Sequence, residues 1–597
     1  MRRGVRRHTR RDRLHADRWD TVRPERRVLA ITRNVTTVDR LLDVLPLLSA
    51  DRRIEISFTV NHGSAFEPGL HEFLNDIGAK LRPWSEAVRE DFHLAVAANV
   101  NAGMRGLRCP LIVLPHGVGY NRVVPSATGD HVSPTGLSRR ELMHRRRLIP
   151  SVIGLSHPEQ LDRLARSCPP ALAAARVIGD PAHDRMIASL PRRDRYRQAL
   201  GLTTGQRLVV ISSTWHDQSL FGTWPDLPDR LTAALPMDEY RVALVLHPNI
   251  WSKHSPFLVR SWLRNAMDAG LLVIPPTDGW RAALIAADWV IGDHGSVSVY
   301  GAALGRPALL AATGEGEIAP GAPTATLGRG LPRLDPAGDL LGQLQELASR
   351  HRATEQHALT ETVLTAPGSA HAALRSTFYE LLGLSEPAHA ARCPPIGLPQ
   401  PEAGEPPTAF LVDATAPDAS GVVTMHRYPA LLDAEQPGGP VDPMLVVEDD
   451  EADPRLHQSA DLVVSRSPVP TDEADERAAE LAGRHPGARA VAVTVADGGG
   501  CLIRSDDGRT ALVHDRSSPG GVLDPVLTAA GWIAACSAAT DPPAEWGIRL
   551  GTRVRLLATG SPPRTLSPGS AVDGPPDTPP PESAADPLDG LAVPPSS

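Results

Sequence analysis

Aromatic residues are scarce in this 597-residue chain, at 4%, and no excess of basic charge runs through it. Its 61 Lys and Arg stand against 69 Asp and Glu, a net charge of −8, so the overall balance argues against a general nucleic-acid binder. The five cysteines (Cys109, Cys168, Cys393, Cys501, Cys536) are odd in number, widely scattered and form no CxxC pair. They indicate neither a disulfide framework nor a thiolate zinc site. No apolar run approaches the ~20 residues a membrane-spanning helix needs. The basic start is not followed by the uncharged apolar segment of a secretory signal. A reducing cytoplasm is the expected compartment. What the chain does have is 42% hydrophobic residues, with 58 Pro and 50 Gly. That is enough for large cores beside unstructured stretches, over roughly three or four domains at ~150 residues each.

The patterning predicts an α/β protein with two Rossmann-like domains facing a cleft. Residues 1–26 form an Arg-rich arm expected to be disordered, suited to anionic lipid or nucleic acid or simply to solubility. In 27–190, apolar strands at Val28–Thr32, Ile54–Val60, His93–Ala98, Leu111–Leu114, Val152–Leu155 and Arg176–Ile178 alternate with helical stretches. In 191–385 the alternation restarts with Arg207–Ser212, Tyr240–Leu246, Leu271–Ile274, Trp289–Gly292 and Ala308–Ala312, and a closing amphipathic helix covers Ala370–Leu384. Strand–helix alternation of this length predicts doubly wound parallel sheets. A Pro-rich linker is expected at 386–407 and a small α/β accessory domain within 408–560. A disordered Pro-rich tail is expected at 561–597.

Polar residues gather where the strands end. Trp289–Gly292 runs into Asp293-His294-Gly295-Ser296, and small residues at helical spacing follow, with Ser298 one turn in. A strand, a Gly/Ser turn and a helix point free backbone N–H groups and a positive helix end at one place, which makes a seat for an anion or diphosphate. Three more strands deliver His116-Gly117, Ser213-Thr214-Trp215 and His247-Pro248 to the same kind of edge, where such sheets collect ligands. One such histidine is more often structural; four clusters over both halves point to a site.

In this order the clusters resemble the CDP-glycerol glycerophosphotransferases that prime or polymerise teichoic acids. The motifs are His116-Gly117, Gly179-Asp180-Pro181-Ala182-His183-Asp184, Ser213-Thr214-Trp215-His216, His247-Pro248, then Asp293-His294-Gly295-Ser296 with Gly305-Arg306-Pro307. The resemblance implies a GT-B fold, a CDP-activated donor between the domains and transfer of a polyol phosphate to an acceptor hydroxyl. It implies His116 as general base, His247 at the donor phosphates, and Ser296, Ser298 and the helix start on the diphosphate. Asp293 would orient a donor hydroxyl or a neighbouring imidazole, with Gly117, Ser213, Thr214, His294 and Gly295 completing the donor site. The chain departs from the family pattern in three places. Tyr120-Asn121 replaces a lysine, His216 an arginine and Gly295 a serine, so the donor phosphates are expected to be held differently.

Two other readings follow from the same residues. One is a nucleotide-sugar glycosyltransferase or UDP-sugar epimerase; Val297–Arg306 lacks the carboxylate expected of the epimerase. The other is a degenerate scaffold acting as a binding protein. None requires a metal or other cofactor, although His216, Asp217, Asp293 and His294 leave room for a divalent cation at spacings that are not diagnostic. The expected partners are a nucleotide-activated donor and a polyol-phosphate or glycan acceptor. If that acceptor is lipid-linked, the basic arm would add contact with the inner membrane face.

Overall fold

The computed structural model describes residues 21–560 except 65, 320, 366, 392–393, 433–441, 519 and 538–542. The Arg-rich arm up to residue 20 and the tail from 561 lie outside the described residues. The first sheet contains β1 (Arg26–Thr32), β2 (Ile54–Val60), β3 (Leu94–Ala97) and β4 (Leu111–Val113). After a small hairpin of β5 (Met143–His144) and β6 (Arg147–Leu148) come β7 (Val152–Leu155) and β8 (Ala175–Val177). The order is β2-β1-β3-β4-β7-β8, with every pairing parallel. Val28–Ile31 at its centre are fully buried because helices cover both faces, as the unbroken apolar run requires.

The second sheet has β9 (Arg207–Ser213), β10 (Tyr240–Leu246), β11 (Leu272–Ile274), β12 (Trp289–Gly292) and β13 (Ala308–Leu310), in the parallel order β11-β10-β9-β12-β13. Both sheets are Rossmann-like, and the order reverses at β1/β3 in the first and at β9/β12 in the second. At such a reversal the connections leave in opposite directions and a crevice opens at the carboxyl edge. The helix Ala370–Leu382 follows the second sheet in sequence but packs on the first, burying Leu374, Phe378 and Leu382 beside Val28 and Ala30. The Pro-rich stretch after it is tied down. The Ile396 carbonyl accepts from Tyr196 and Arg192, and Glu402 pairs with the edge strand at Val273 and with the Arg260 guanidinium.

The C-terminal segment, expected as a small α/β accessory domain, builds its strands into a closed nine-stranded barrel, which the sequence reading did not foresee. Its strands are β14 (Ala409–Ala414), β15 (Val422–Pro429), β16 (Met444–Glu448), β17 (Leu462–Val469), β18 (Ala490–Val495), β19 (Cys501–Ser505), β20 (Thr510–Asp515), β21 (Glu545–Leu550) and β22 (Arg553–Gly560). Around the barrel they run β14-β15-β21-β22-β20-β19-β18-β17-β16. The inner face closes on the helix Pro525–Ser537, whose Val526, Ala529, Ala530 and Trp532 are fully buried. Closure through β15, β21 and β22 removes the edges an open sheet would leave. The barrel docks at the amino edge of the second sheet, where Arg427 bonds Asp238 and Asp524 and His426 meets Glu239. That edge is opposite the strand ends that carry the polar clusters.

Candidate active site between the two sheets

A cavity of about 180 Å³ is walled by the carboxyl ends of both sheets. Thr36 and His116 line it from the first sheet; Thr214, His247, His294 and Ser296 line it from the second. The two halves meet around it. The Ser296 hydroxyl accepts from the Val118 N–H at 3.1 Å, and Ala319 and Val123 exchange backbone hydrogen bonds with Asn121 and Glu317 at 2.7 and 2.8 Å. Behind the cavity, Arg281 on the helix Trp280–Ala286 reaches Asp39 at 2.7 and 2.9 Å and Asp43 at 2.6 Å, both on the helix Val35–Val44. Arg40 of that helix is bidentate to Asp180 at 3.1 Å, and Tyr300 donates to the same carboxylate. Burial opposes charge on both arginines, but the facing carboxylates outweigh it, so each guanidinium stays protonated.

Asp293 ties the switch-point turn together. Its Oδ2 accepts from the Thr214 and Leu220 N–H groups at 2.8 and 2.9 Å, and its Oδ1 from Gly295 N–H at 2.9 Å. The side chain is buried, and its oxygens are engaged by the turn. Burial raises its pKa against these bonds. Ser298 is turned inward as well, accepting from the Asp293 N–H at 3.1 Å and lying against Gly292. Ser213 is likewise buried and bonds to Thr214 and Phe221 backbone. Ser296, Gly295, Thr214, Gly117 and Ser213 itself line the cavity. Gly295 sits where a Cβ would come within 3.0 Å of Asp293 Oδ1 and 3.1 Å of Thr214 Cβ, which accounts for glycine there.

The two histidines stand in one electrostatic field. The His116 ring is open to the cavity, yet the surrounding protein makes its charge costly, and the Arg40 and Arg122 cations lower its pKa further. Its hydrogen bond to the Ala98 carbonyl acts the other way and leaves the second ring nitrogen as an acceptor. Burial, then His116 and Arg122, push His247 down to about 3. Its Nδ1 accepts from the Asn249 N–H at 3.1 Å, which puts the ring proton on Nε2. His247 is therefore a neutral hydrogen-bond donor.

Sequence reasoning missed Arg122 and Glu317. Tyr120, beside the position where a lysine was expected, points away to the Gly154 carbonyl, and Asn121 bonds Val118. Arg122, one residue further on, lines the cavity. It lies 4.2 Å over the Trp215 ring and donates to Glu317 Oε2 at 2.6 Å. That oxygen also meets His294 Nε2 at 3.1 Å. Burial works against charge on Glu317, but His294, Arg122 and His216 outweigh it and hold its pKa low. A basic residue just past the His-Gly turn and a carboxylate just past β13 were the signals in the sequence. His216 and Asp217 lie beside Glu317 at the rim, and His216 adopts a φ of 96°.

No family model matches the chain, and no curated protein matches it. Among solved structures it is similar to the wall teichoic acid polymerase TagF soaked with CDPG. That similarity has 13% identity, covers 61% of this chain and 90% of that one, and has a TM-score of 0.40. It is also similar to the S. aureus MnaA–UDP co-structure (10% identity, 62% and 100% covered, TM-score 0.39). The Neisseria meningitidis UDP-GlcNAc 2-epimerase bound to UDP-GlcNAc gives 13% identity, 60% and 99% covered, and a TM-score of 0.39. Likenesses this distant leave function to be argued from the site itself.

Proposed function

We propose that this chain is a GT-B-type transferase. It would move a polyol-phosphate group from a CDP-activated donor to an acceptor hydroxyl in the synthesis of a surface polymer. The observation that carries the reading is one cavity holding a proton-accepting imidazole from one sheet, and a neutral donor imidazole with an uncapped helix start from the other. The acceptor hydroxyl attacks the donor phosphorus while His116 takes its proton. The P–O bond to the nucleotide breaks, and the negative charge stays on the departing nucleotide phosphate. The lowered pKa keeps His116 unprotonated at neutral pH, as a base requires. The N–H groups at the start of the helix Ser296–Ala303 have no side-chain cap and face the departing phosphate. Arg122 and the Nε2–H of His247 complete its surroundings.

The test is binding and turnover with CDP-glycerol, CDP-ribitol, CMP, UDP-sugars and UDP. Cytidine nucleotides should stabilise the protein selectively, and His116→Ala should abolish transfer while leaving nucleotide binding within about threefold, since the base acts on the acceptor. Selective stabilisation by a UDP-sugar would move the reading to glycosyl transfer. Absence of any nucleotide binding would leave the degenerate scaffold.

A further inference from the structure

At the rim of the cavity three side chains from two separated segments converge. His216 Nδ1 lies 2.6 Å from Asp217 Oδ1 and 2.8 Å from Glu317 Oε1, and the three ligand atoms are all within 4.8 Å of one another. An imidazole nitrogen carries one proton at most. Here that nitrogen is aligned with Asp217, and Glu317 Oε1 is left as a buried oxygen with no hydrogen-bond donor. The Glu317 side chain is 10% exposed, and Arg122 and His294 both hold its other oxygen, so Oε1 is fixed toward the cluster. A buried carboxylate oxygen without a donor is costly, and a cation is the partner that satisfies it together with the two ligands beside it.

We infer that His216, Asp217 and Glu317 form a divalent-cation site. One imidazole nitrogen and two carboxylate oxygens suit an ion of intermediate hardness such as Mn²⁺ better than a thiophilic one. They leave coordination positions for water or for phosphate oxygens. Trp215, next to His216 in the chain, and His294, bonded to Glu317, line the cavity. A cation here would meet the diphosphate of the donor proposed above. That role rests on the transferase reading; the existence of the metal site does not.

Mn²⁺ titration of the full-length protein, followed by loss of the free-ion EPR signal, tests the site without any nucleotide. Wild type should take up one ion, and Asp217→Asn and His216→Asn should each weaken binding at least about tenfold. Asp217 is largely exposed, so its variant keeps the fold, and a thermal-unfolding trace verifies this. Glu317→Gln should abolish binding. A wild-type protein that leaves the free-ion signal undiminished at millimolar Mn²⁺ overturns the inference, as does equal uptake by the Asp217 and His216 variants. Repeating the titration with CDP and UDP separates the two ideas. Nucleotide binding without Mn²⁺ binding removes the metal site and leaves the transferase, whereas Mn²⁺ binding without nucleotide binding does the reverse.

Discussion

A β-carbon at Gly117 would lie 2.4 Å from the Ser296 hydroxyl oxygen, so any other residue here must displace the hydroxyl that accepts from the Val118 N–H across the cleft. Gly117→Ala should therefore push the His116 loop off the helix start and weaken nucleotide binding about tenfold or more. Adding Ser296→Ala should recover part of that loss, and isothermal titration of the single and double variants measures the coupling. His247 sets a pH dependence. Its folded pKa of about 3 lies far below the ordinary histidine value. As pH falls below ~6.5 the unfolded chain takes up a proton that the folded site refuses, so stability is full above that pH and declines between there and about 3. His116 shifts in the same direction. Tm should fall from pH 7 to pH 5, and the slope should be shallower in His247→Asn, whose amide oxygen can still cap Asn249. An unchanged slope would show that His247 titrates normally.

At the scale of elements, the turn after β12 works because one buried carboxylate replaces the hydrogen-bond partners that three backbone N–H groups lose when the strand ends. Asp293→Ala leaves those groups without an acceptor in a closed space. It should cost about 2–4 kcal/mol in denaturant unfolding and disorder the helix start that faces the cavity. A loss of nucleotide binding with unchanged stability would instead mean that Asp293 contacts ligand directly. The strand ends at β4, β9, β10 and β12 were legible from sequence because each is a short apolar run stopped by polar residues. Which of those residues face the cavity was not. Ser296 and Ser298 look alike in a string, yet one accepts a bond across the cleft and the other is turned under its own turn.

Across the whole molecule, the buried cluster of Arg281, Asp39 and Asp43 joins a helix of the second sheet to one of the first. Removing only the cation strands the Asp39 carboxylate in low dielectric, while Asp43 keeps Arg185 at 3.0 Å. Arg281→Met should destabilise by roughly 3–5 kcal/mol, and small-angle scattering should register a larger radius as the halves separate. Replacing Asp39 with leucine in the same chain should restore much of that stability, since the stranded charge is then gone. A compact, stable Arg281→Met protein would mean that the cleft is held by its other contacts.

The sequence by itself determined the two parallel sheets, because buried strands must be apolar on both faces and alternate with helices at a readable period. It also determined which strand ends gather polar residues around one cavity. Only the tertiary structure decided the rest, because what matters there is contact between residues far apart in the chain. Arg122 meets Glu317 across 195 positions. The Ala370–Leu382 helix crosses back to the first sheet, where the apolar surface of Val28 and Ala30 needs cover. The barrel closes through three strands whose apolar residues alternate too weakly to stand out in the chain. Their pairing, and the buried helix they enclose, exists only once the ring is complete.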